Sequence, residues 1–357
     1  MHNCILVTGG AGFVGSSLAL ALKRRFPALK IVALDNLHRR GSELNLPRLA
    51  AADIRFIHGD IRSPEDLKDL PEPFDLIIEC SAEPSAQAGY QGSPEYLIQT
   101  NLVGCFHCLE LARRTGADFI LVSTSRVYPV EKLKALSLRD EITRFVLEDQ
   151  QPFPGASRLG INEDFPLDGA RSLYGMTKLS GELMVTEYAA AYGLRCVINR
   201  CGVIAGPWQM GKTDQGVVTY WMAAHYFRRE LSYIGFGGQG KQVRDLLHVE
   251  DLASLIAEQV SNTGRYAGKL FNVGGGVSGS LSLQDMTSLC RRITGNEIPI
   301  GTCPETRPAD VPLYITDYSR LTEFSGWRPC HTPEDILSDI YQWLRENESA
   351  LRTCLPG

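Results

Sequence analysis

The sequence predicts an α/β fold: a doubly wound parallel sheet with a smaller, partly interleaved C-terminal domain. Three observations predict it. Apolar runs of strand length alternate with longer helical patterns through the first two-thirds of the chain, which is typical of a parallel sheet with helices on both faces. A glycine-rich turn follows the first run. Past residue 205 the pattern changes, and glycine and aromatic residues cluster.

The predicted strands are rich in Ile, Val and Leu with little alternation, as expected for strands buried on both faces. They are CILVTG (4–9), KIVALD (30–35), IRFIHGD (54–60), DLIIEC (75–80), DFILVST (118–124) and LRCVINRCGVIAG (194–206). Helical patterns occur in SSLALALKRR (16–25) and PEYLIQTNLVGCFHCLELARRTG (94–116), in the segment that begins at Tyr174, and near 216–228, 249–262, 283–294 and 332–346.

Domain boundaries follow from this order. We expect a first domain over residues 1–204 and a second mainly over 205–357, with 241–273 returning to the first. Residues 129–170 are long, charged and irregular, and we place them as an insertion in the first domain. A loop of this length in a compact domain is usually functional or disordered.

Composition excludes several classes of protein. The 357 residues carry a formal net charge of −5, which argues against nonspecific nucleic-acid binding. The sequence contains no apolar run of membrane-spanning length and no N-terminal leader pattern, so we expect no membrane partner and a cytoplasmic location. Ten scattered cysteines, with one CxxC at Cys105 and Cys108 inside a helical pattern, predict buried thiols and no metal site.

The turn TGGAGFVGSSL at 8–18 carries glycines spaced to bind a dinucleotide. Gly9 permits a tight turn, Gly12 lets the backbone approach a pyrophosphate at a helix N-terminus, and Gly15 allows close helix–strand packing. The turn leaves a strand and opens a helix within a βαβ unit, which is the context that a Rossmann-type nucleotide site requires.

Asp35 ends the second strand about 20 residues after the last glycine. A carboxylate there accepts hydrogen bonds from the adenosine ribose hydroxyls and repels the extra phosphate of NADP, so we expect NAD. The following His38, Arg39 and Arg40 form a possible phosphate clamp that would favour NADP instead. Asp60 and Ile61 end the third strand, where they either flank the adenine or form an ordinary strand-end turn.

The chain resembles the extended short-chain dehydrogenase/reductase family of nucleotide-sugar enzymes. The resemblance rests on TGGAGFVG, on Asp35, on the strand ending in Thr124, and on Tyr174-Gly-Met-Thr-Lys178. It continues through GPWQ (206–209), RDLLHVEDL (244–252), FNVGGG (271–276) and RPADV (307–311). In this family the tyrosine is the acid–base, the lysine lowers its pKa and holds the nicotinamide ribose, and the Ser or Thr bonds the reacting sugar hydroxyl.

The resemblance therefore implies a set of site residues. The catalytic candidates are Thr124, Tyr174 and Lys178. The cofactor-binding candidates are Gly9, Gly12, Phe13, Val14, Asp35, Asn36, Asp60, Ile61, Ser81 and Lys178. The substrate-binding candidates are Glu83, Ser85, Thr124, Tyr174, Gln209, Arg244, Arg307 and Asp310. Arg244 and Arg307 are assigned to the pyrophosphate because a guanidinium matches phosphate oxygens in charge and geometry, and Asp310 either holds the nucleotide ribose or orients Arg307.

The chain departs from the family pattern at two places, one that bears on the type of reaction and one that bears on the sugar. Dehydratases of the family carry Asp-Glu directly after the threonine, where this chain has Ser125 and Arg126. With dehydration excluded, the expected reaction is epimerisation. The enzyme would oxidise the sugar, the keto sugar would rotate, and the hydride would return to its other face. ECSAEPSAQAGY at 79–90 replaces the more usual His-Leu-Ala-containing stretch, which places Glu83 and Ser85 towards the sugar.

The finer resemblance is to CDP-tyvelose (CDP-paratose) 2-epimerases. It rests on the 129–170 segment, DNLHRRG (35–41), TDQG (213–216) and GKQVRDLLHVEDL (240–252). It implies carbon-2 epimerisation of a CDP-linked hexose. The alternatives are a UDP-hexose 4-epimerase, then a dehydratase, then a noncatalytic NAD(H)-sensing protein. Family dimers pair two helices per subunit, so we expect a homodimer through the apolar helices at 94–114 and 174–192.

Overall fold

A computed structural model describes residues 2–70, 73–212 and 215–354 of the chain. The strands are β1 Cys4–Thr8, β2 Lys30–Asp35, β3 Arg55–His58, β4 Leu76–Glu79, β5 Asp118–Thr124, β6 Leu138–Asp140, β7 Phe145–Leu147, β8 Ala156–Ser157, β9 Gly160–Ile161, β10 Cys196–Cys201, β11 Val203–Ala205, β12 Leu231–Ile234, β13 Val243–His248, β14 Lys269–Val273, β15 Ser280–Ser282, β16 Ile300–Cys303 and β17 Leu313–Tyr314.

The α-helices are α1 Phe13–Arg25, α2 Leu46–Ala51, α3 Pro64–Lys68, α4 Glu95–Ile98, α5 Gly104–Thr115, α6 Val130–Lys134, α7 Leu173–Tyr192, α8 Val217–Phe227, α9 Val249–Ser261, α10 Thr263–Tyr266, α11 Leu283–Thr294, α12 Ser319–Ser325, α13 Pro333–Glu346 and α14 Glu348–Cys354. Short 3₁₀ turns occupy Ser42–Asn45, Ser125–Val127 and Phe236–Gly238, and a π-helical turn occupies Gln99–Val103.

In the part of the chain that the structure describes, the main sheet has seven strands in the order β14-β10-β5-β4-β1-β2-β3. β1 pairs in parallel with both β2 and β4, β2 with β3, and β4 with β5. After β3 the chain crosses back to β4, so the strand order reverses between β1 and β4. Ligands of doubly wound sheets bind outside the carboxyl ends of strands at such a reversal, which here lies beside Thr8 and Glu79.

Both faces of this sheet are covered, and the predicted fold class is confirmed. Side chains alternate between the two faces of a strand, yet every residue of β1 and β4 is buried. Leu6 and Ile77 pack in one core cluster with Leu109 of α5 and Val185 of α7. α1 packs against α9, and α5 against α7.

The predicted helix over 94–116 is interrupted. α4 and α5 are separated by the π-helical turn at Gln99–Val103, and such turns occur frequently at functional sites. Cys105 and Cys108 of the CxxC lie on α5, where both side chains are buried in the core cluster. Burial raises the pKa of both thiols, so the interpretation of this CxxC as buried core residues is confirmed.

The chain divides into two compact units. Unit 1 comprises Met1–Thr124, Leu173–Arg200 and Val249–Phe271, and unit 2 comprises Ser125–Ser172, Cys201–His248 and Asn272–Gly357. Residues 249–271, part of the segment expected to return to the first domain, belong to unit 1. Residues 129–170, which the prediction grouped with the first domain, fall in unit 2. The division into a first domain over 1–204 and a second mainly over 205–357 stays a prediction.

Unit 2 contains a sheet ordered β11-β13-β15, with β17 paired on β13, and the separate pairs β12–β16, β6–β7 and β8–β9. α8 packs against α11 and α13. Most of the 129–170 segment forms short elements rather than one loop. Its hairpin β6–β7 is held to unit 2, because Phe145 donates its amide to the Lys241 carbonyl at 3.1 Å and the Lys241 ammonium donates to Asp140 at 2.7 Å.

Within residues 2–70, 73–212 and 215–354, no helix combines the length and the apolar character that a membrane crossing requires.

Candidate functional site

The glycine-rich turn of unit 1 connects β1 to the N-terminus of α1. Gly9 adopts a φ of 63°, and a Cβ there would lie 3.0 Å from backbone atoms of Cys80 and Ser81. A Cβ on Gly15 would collide with the Gly9 carbonyl oxygen. Side chains at either position would therefore force the turn away from β4 or from its own helix.

The first turn of α1 is suited to a phosphate group. Within the described chain, Gly12 caps this helix without any side-chain hydrogen bond, and its first turn carries no acidic residue. Phe13 and Val14 begin the helix, and both are partly exposed. Amide groups at a helix N-terminus attract anions, so these residues fit the pyrophosphate of a dinucleotide.

Asp35, the last residue of β2, is bonded to this turn. Its Oδ2 accepts hydrogen bonds from the amides of Ala11 at 3.1 Å and Gly12 at 3.2 Å, and its Oδ1 accepts from Leu37 at 2.8 Å. Burial raises the pKa of this carboxyl, and the three amides offset part of that rise. The carboxylate thus organises the glycine turn and lies where the sequence predicts a ribose ligand.

Asn36 and Asp60 are bonded to each other at the ends of β2 and β3. The Asn36 amide donates to Asp60 Oδ2 at 2.9 Å, and Arg62 donates to the same oxygen at 2.6 Å. Burial would raise the pKa of Asp60, but the hydrogen bonds from Arg62 and Asn36 lower it to about 2. Ile61 is turned into the core, 4% exposed, and Ser81 follows β4 beside Gly9.

The three catalytic candidates all belong to unit 1. Thr124 is the last residue of β5, at the carboxyl edge of the sheet. Tyr174 and Lys178 lie on the first turns of α7, four residues apart and therefore on one helical face. Tyr174 is 9% exposed and Lys178 is 4% exposed. The predicted spacing is thus realised on a helix, in a largely dry environment.

Lys178 has a buried acidic neighbour that the sequence analysis did not identify. Its Nζ lies 3.6 Å from Oε2 of Glu79, the last residue of β4, and both side chains are almost fully buried. Burial alone would lower the pKa of Lys178, but Glu79 and Tyr174 reverse the effect, and the pKa is raised. The ammonium is therefore kept protonated on the same face of α7 as Tyr174.

Asn101 is a second residue that the sequence analysis missed. It lies in the π-helical turn, 3% exposed. Its Oδ1 accepts from the Glu83 amide at 2.8 Å, and its Nδ2 donates to the Glu83 carbonyl at 3.1 Å and to Thr177 Oγ1 at 3.2 Å. Thr177 in turn donates to the Tyr174 carbonyl at 2.8 Å. Asn101 thereby ties the loop after β4 to the first turn of the Tyr174 helix.

Glu83 and Ser85, the predicted sugar contacts, lie on this loop in unit 1. The Ser85 amide donates to Glu83 Oε1 at 3.1 Å. Ser85 is buried and Glu83 is partly exposed. The loop is therefore held by side chains of its own segment as well as by Asn101, and it follows directly the strand that ends in Glu79.

A buried ion pair supports the strand that ends in Thr124. Ser123 donates to Glu182 Oε1 at 2.5 Å, and Arg200 donates to Glu182 Oε2 at 2.7 Å. The ion-paired side chains are 4% and 3% exposed. Because β5, α7 and β10 each contribute one member, the network fixes α7 against the sheet edge on which Thr124 lies.

The predicted phosphate ligands belong to unit 2. The Arg244 guanidinium donates to Asp310 Oδ1 at 2.7 Å and to the Val311 carbonyl at 2.8 Å. Burial lowers the pKa of Arg244 to about 10, and Asp310 opposes this while the nearby Arg126 adds to it. Arg126 itself donates to the Ala309 carbonyl at 3.2 Å. Two cationic side chains therefore bond to the 309–311 segment.

Gln209 and Arg307 complete the predicted set in unit 2. The Gln209 amide donates to the Ile204 carbonyl at 3.0 Å and accepts from Thr219 Oγ1 at 3.0 Å, and the side chain is 5% exposed. Arg307 is partly exposed, and its carbonyl accepts the Asp310 amide at 3.2 Å. In the TDQG segment, Thr213 and Asp214 lie outside the described residues.

The chain is similar to known proteins over most of its length. Residues 5–274 match the model of the NAD dependent epimerase/dehydratase family. The match begins in β1 and ends just after β14, so it spans the glycine turn, the end of β5 and the Tyr174 helix.

Characterised relatives match over nearly the whole chain. CDP-paratose 2-epimerase of Salmonella typhi is 28% identical over 347 residues, covering 95% of this chain and 98% of the relative. dTDP-glucose 4,6-dehydratase of Mycobacterium tuberculosis is also 28% identical over 347 residues, covering 97% and 94%. Among solved structures, the UDP-glucuronic acid 4-epimerase of Bacillus cereus aligns with a TM-score of 0.79 at 23% identity, covering 96% and 99%.

Proposed function

The chain belongs to the NAD dependent epimerase/dehydratase family, and we propose that it inverts carbon 2 of a CDP-linked hexose by transient oxidation of the sugar. Membership makes it an enzyme of nucleotide-sugar chemistry with NAD as its cofactor. The choice of epimerase, of carbon 2 and of CDP is our proposal.

Residues of unit 1 fit the cofactor. The uncapped first turn of α1 would bind the pyrophosphate, Asp35 the adenosine ribose, and Lys178 the nicotinamide ribose. NAD, when bound, supplies a hydride acceptor that can also return the hydride. The protein must then position the sugar carbon, move one proton and exclude water.

Tyr174 is the group that moves the proton. A phenol held beside a buried ammonium can take a hydroxyl proton and later return it, and a positioned acid–base contributes about 10²–10⁴-fold to the rate. Thr124, at the end of β5, would hydrogen-bond the reacting hydroxyl. The low exposure of Tyr174 and Lys178 supports this role, because electrostatic effects are stronger where water is excluded.

The observation that carries epimerisation over dehydration is the identity and engagement of Arg126. Dehydratases of this family carry an acidic pair directly after the threonine. Here Ser125 and Arg126 occupy those positions, and the Arg126 guanidinium donates to the Ala309 carbonyl in unit 2. Arginine remains protonated in proteins and cannot act as the acid–base that removes water. Arg126 is instead suited to stabilise an anionic substrate.

Two observations support carbon 2 and CDP. The 129–170 segment and GKQVRDLLHVEDL at 240–252 resemble the corresponding segments of CDP-tyvelose (CDP-paratose) 2-epimerases, and the Salmonella typhi 2-epimerase matches 95% of this chain. Part of both segments forms one structure in unit 2, because Lys241 bonds Phe145 and Asp140. The features that suggest the subgroup are thus physically joined. Arg244 and Arg307 would bind the pyrophosphate, with Arg126 as a further cation close to Arg244.

The test is incubation of the purified protein with CDP- and UDP-hexoses deuterated at carbon 2 or carbon 4, followed by mass and sugar-composition analysis. We expect reversible inversion at carbon 2 of a CDP-hexose, retention of the carbon-2 deuterium, and no solvent deuterium at that carbon. Solvent label there would indicate proton abstraction instead. Inversion only at carbon 4 would establish a 4-epimerase, and loss of water would establish a dehydratase.

A further inference from the structure

Glu79 is a buried carboxyl at the carboxyl end of β4, 1% exposed. It lies opposite Thr8 of β1 in the register of the sheet, one residue before the glycine turn begins at Gly9. Its Oε2 makes no hydrogen bond to any residue that the structure describes, and the Lys178 ammonium lies 3.6 Å from that oxygen. A carboxyl in this position is thus directed at the lysine of the catalytic helix.

Several other titratable groups lie close to Glu79 and Lys178. Cys105 and Cys108 face it from α5, and burial raises the pKa of both thiols above the ordinary range. Tyr174 on α7 and Cys80, directly after β4, lie near Lys178. Burial also raises the pKa of Glu79, while Lys178 and the Ser81 amide oppose the rise. Glu79 and Lys178 are therefore an acidic and a basic group in direct contact in this part of unit 1.

We propose that Glu79 is a positioning residue for Lys178, a buried counter-ion that keeps its ammonium charged and fixed beneath Tyr174. A buried cation without a partner is costly and tends to lose its proton. The 3.6 Å contact removes that tendency. The inference rests on the proposed function in one respect, namely that Lys178 acts on Tyr174, but the ion pair itself does not depend on the reaction.

The pairing of Glu79 with Lys178 should also affect how the reaction rate depends on pH. Glu79 preserves the charge of Lys178 but also offsets part of its field. Removing the carboxylate should make Lys178 easier to deprotonate, which brings an alkaline loss of activity to lower pH. While Lys178 remains charged, its unopposed field should make Tyr174 more acidic, which moves the acid limb to lower pH as well. The whole pH profile of kcat should therefore shift in one direction.

The first test measures the ion pair through stability. Glu79→Gln, Lys178→Met and the double variant are unfolded in urea at pH 7.5 without substrate. We expect Lys178→Met to lower the unfolding midpoint, because it leaves a buried carboxyl unpaired, and Glu79→Gln to restore part of that loss in the double variant. Additive losses would overturn the proposal. Asp118→Asn is the matched control, because it removes a buried carboxylate at the start of β5, at the amino ends of the strands of the same sheet. Its loss of stability should add to that of Lys178→Met.

The second test measures kcat from pH 5 to 10 on whichever nucleotide sugar is turned over. Glu79→Gln should move both limbs to lower pH by about one unit, the usual effect of one charge at this range, and should weaken NAD binding measured by fluorescence titration. A uniform fall in kcat with an unchanged profile would show a merely structural role and overturn the proposal. If no nucleotide sugar is turned over, the proposed function fails, while the unfolding data still decide whether Glu79 pairs with Lys178.

Discussion

Asp310 accepts a hydrogen bond of 2.7 Å from Arg244, in unit 2. The sequence predicts that Asp310 either binds a ribose or orients Arg307, whereas the structure pairs it with Arg244. The same guanidinium also donates to the Val311 carbonyl. Arg244 is thus held by a carboxylate and a carbonyl, as expected for a cation that is oriented in advance to bind a phosphate oxygen.

Arg244→Gln should raise KM for the nucleotide sugar about 10- to 150-fold. Charge-assisted hydrogen bonds contribute about 1.5–3 kcal/mol, and we expect kcat to change much less because the reacting carbon is held by other groups. Steady-state kinetics check this. Arg292→Gln is the matched control, since Arg292 forms an exposed ion pair with Glu334 in the same unit and should leave KM unchanged. An unaltered KM in Arg244→Gln would remove Arg244 from the substrate site.

Tyr174→Phe should lower turnover by about 10²–10⁴-fold with the fold and NAD binding intact, because only the acid–base hydroxyl is lost. Product analysis at fixed reaction times measures turnover, and fluorescence titration with NAD measures cofactor binding. Tyr188→Phe on the same helix is the control: its hydroxyl donates to Glu110 at 2.7 Å, and its loss should leave turnover near the parent value. Near-normal turnover of Tyr174→Phe would rule out the phenol as the proton carrier.

The purified protein should carry tightly bound NAD, because an epimerase regenerates its cofactor in every cycle. Denaturation followed by assay of the released nucleotide checks this, and release of NADP would contradict the role of Asp35. Asp35→Asn should lower the NAD content and weaken discrimination against NADP, since the variant loses the charge that repels the extra phosphate. Asp53→Asn, at a carboxylate that is 98% exposed in the same unit, should retain the parent content.

Much of the fold could be predicted because burial on both sheet faces leaves a direct trace in sequence. The predicted helices near 216–228, 249–262, 283–294 and 332–346 correspond to α8, α9, α11 and α13. The short strands within 129–170 could not be predicted, because strands of two or three residues have no usable periodicity. Their pairing depends on partners such as Lys241, which is far away in the chain.

In the candidate site, too, residues within a local sequence pattern could be predicted, and residues that depend on distant partners could not. Gly9 and Asp35 have a typical spacing within one βαβ unit, and Tyr174 and Lys178 lie four residues apart on one helix, so sequence patterns indicate them. Asn101 has no such signal, because a π-helical turn leaves the apolar pattern of 94–116 almost unchanged. Pairings between distant segments are equally invisible: Glu79 and Lys178 meet only because β4 ends beneath α7, and Arg126 reaches a carbonyl 183 residues further along the chain.

The buried Asp245 should make the stability of the folded protein depend on pH. This residue of β13 is fully buried in unit 2, and its Oδ2 accepts the Gly276 amide at 3.2 Å. Burial raises the pKa of Asp245 to about 6 from the ordinary 3.8, and bonds from Thr316 and Gly276 offset only part of that rise. Because the folded protein binds this proton more tightly than the unfolded chain, Asp245 favours folding fully below about pH 4. That contribution is lost as the pH rises through 6.

Asp245→Asn should remove this dependence. The free energy of unfolding of the parent, relative to the variant, should fall between pH 4 and pH 7 by on the order of 3 kcal/mol, the equivalent of the pKa difference at 1.36 kcal/mol per unit. Urea unfolding of both proteins at pH 4, 5, 6 and 7 measures it. Asp140→Asn, at a 60% exposed carboxylate paired with Lys241 in the same unit, should show little change over that range, because exposed ion pairs contribute little to stability. A constant difference between parent and Asp245→Asn across these pH values would mean that Asp245 stays ionised in the folded protein. Its hydrogen bond to Gly276 would then favour the ionised form more strongly than burial disfavours it.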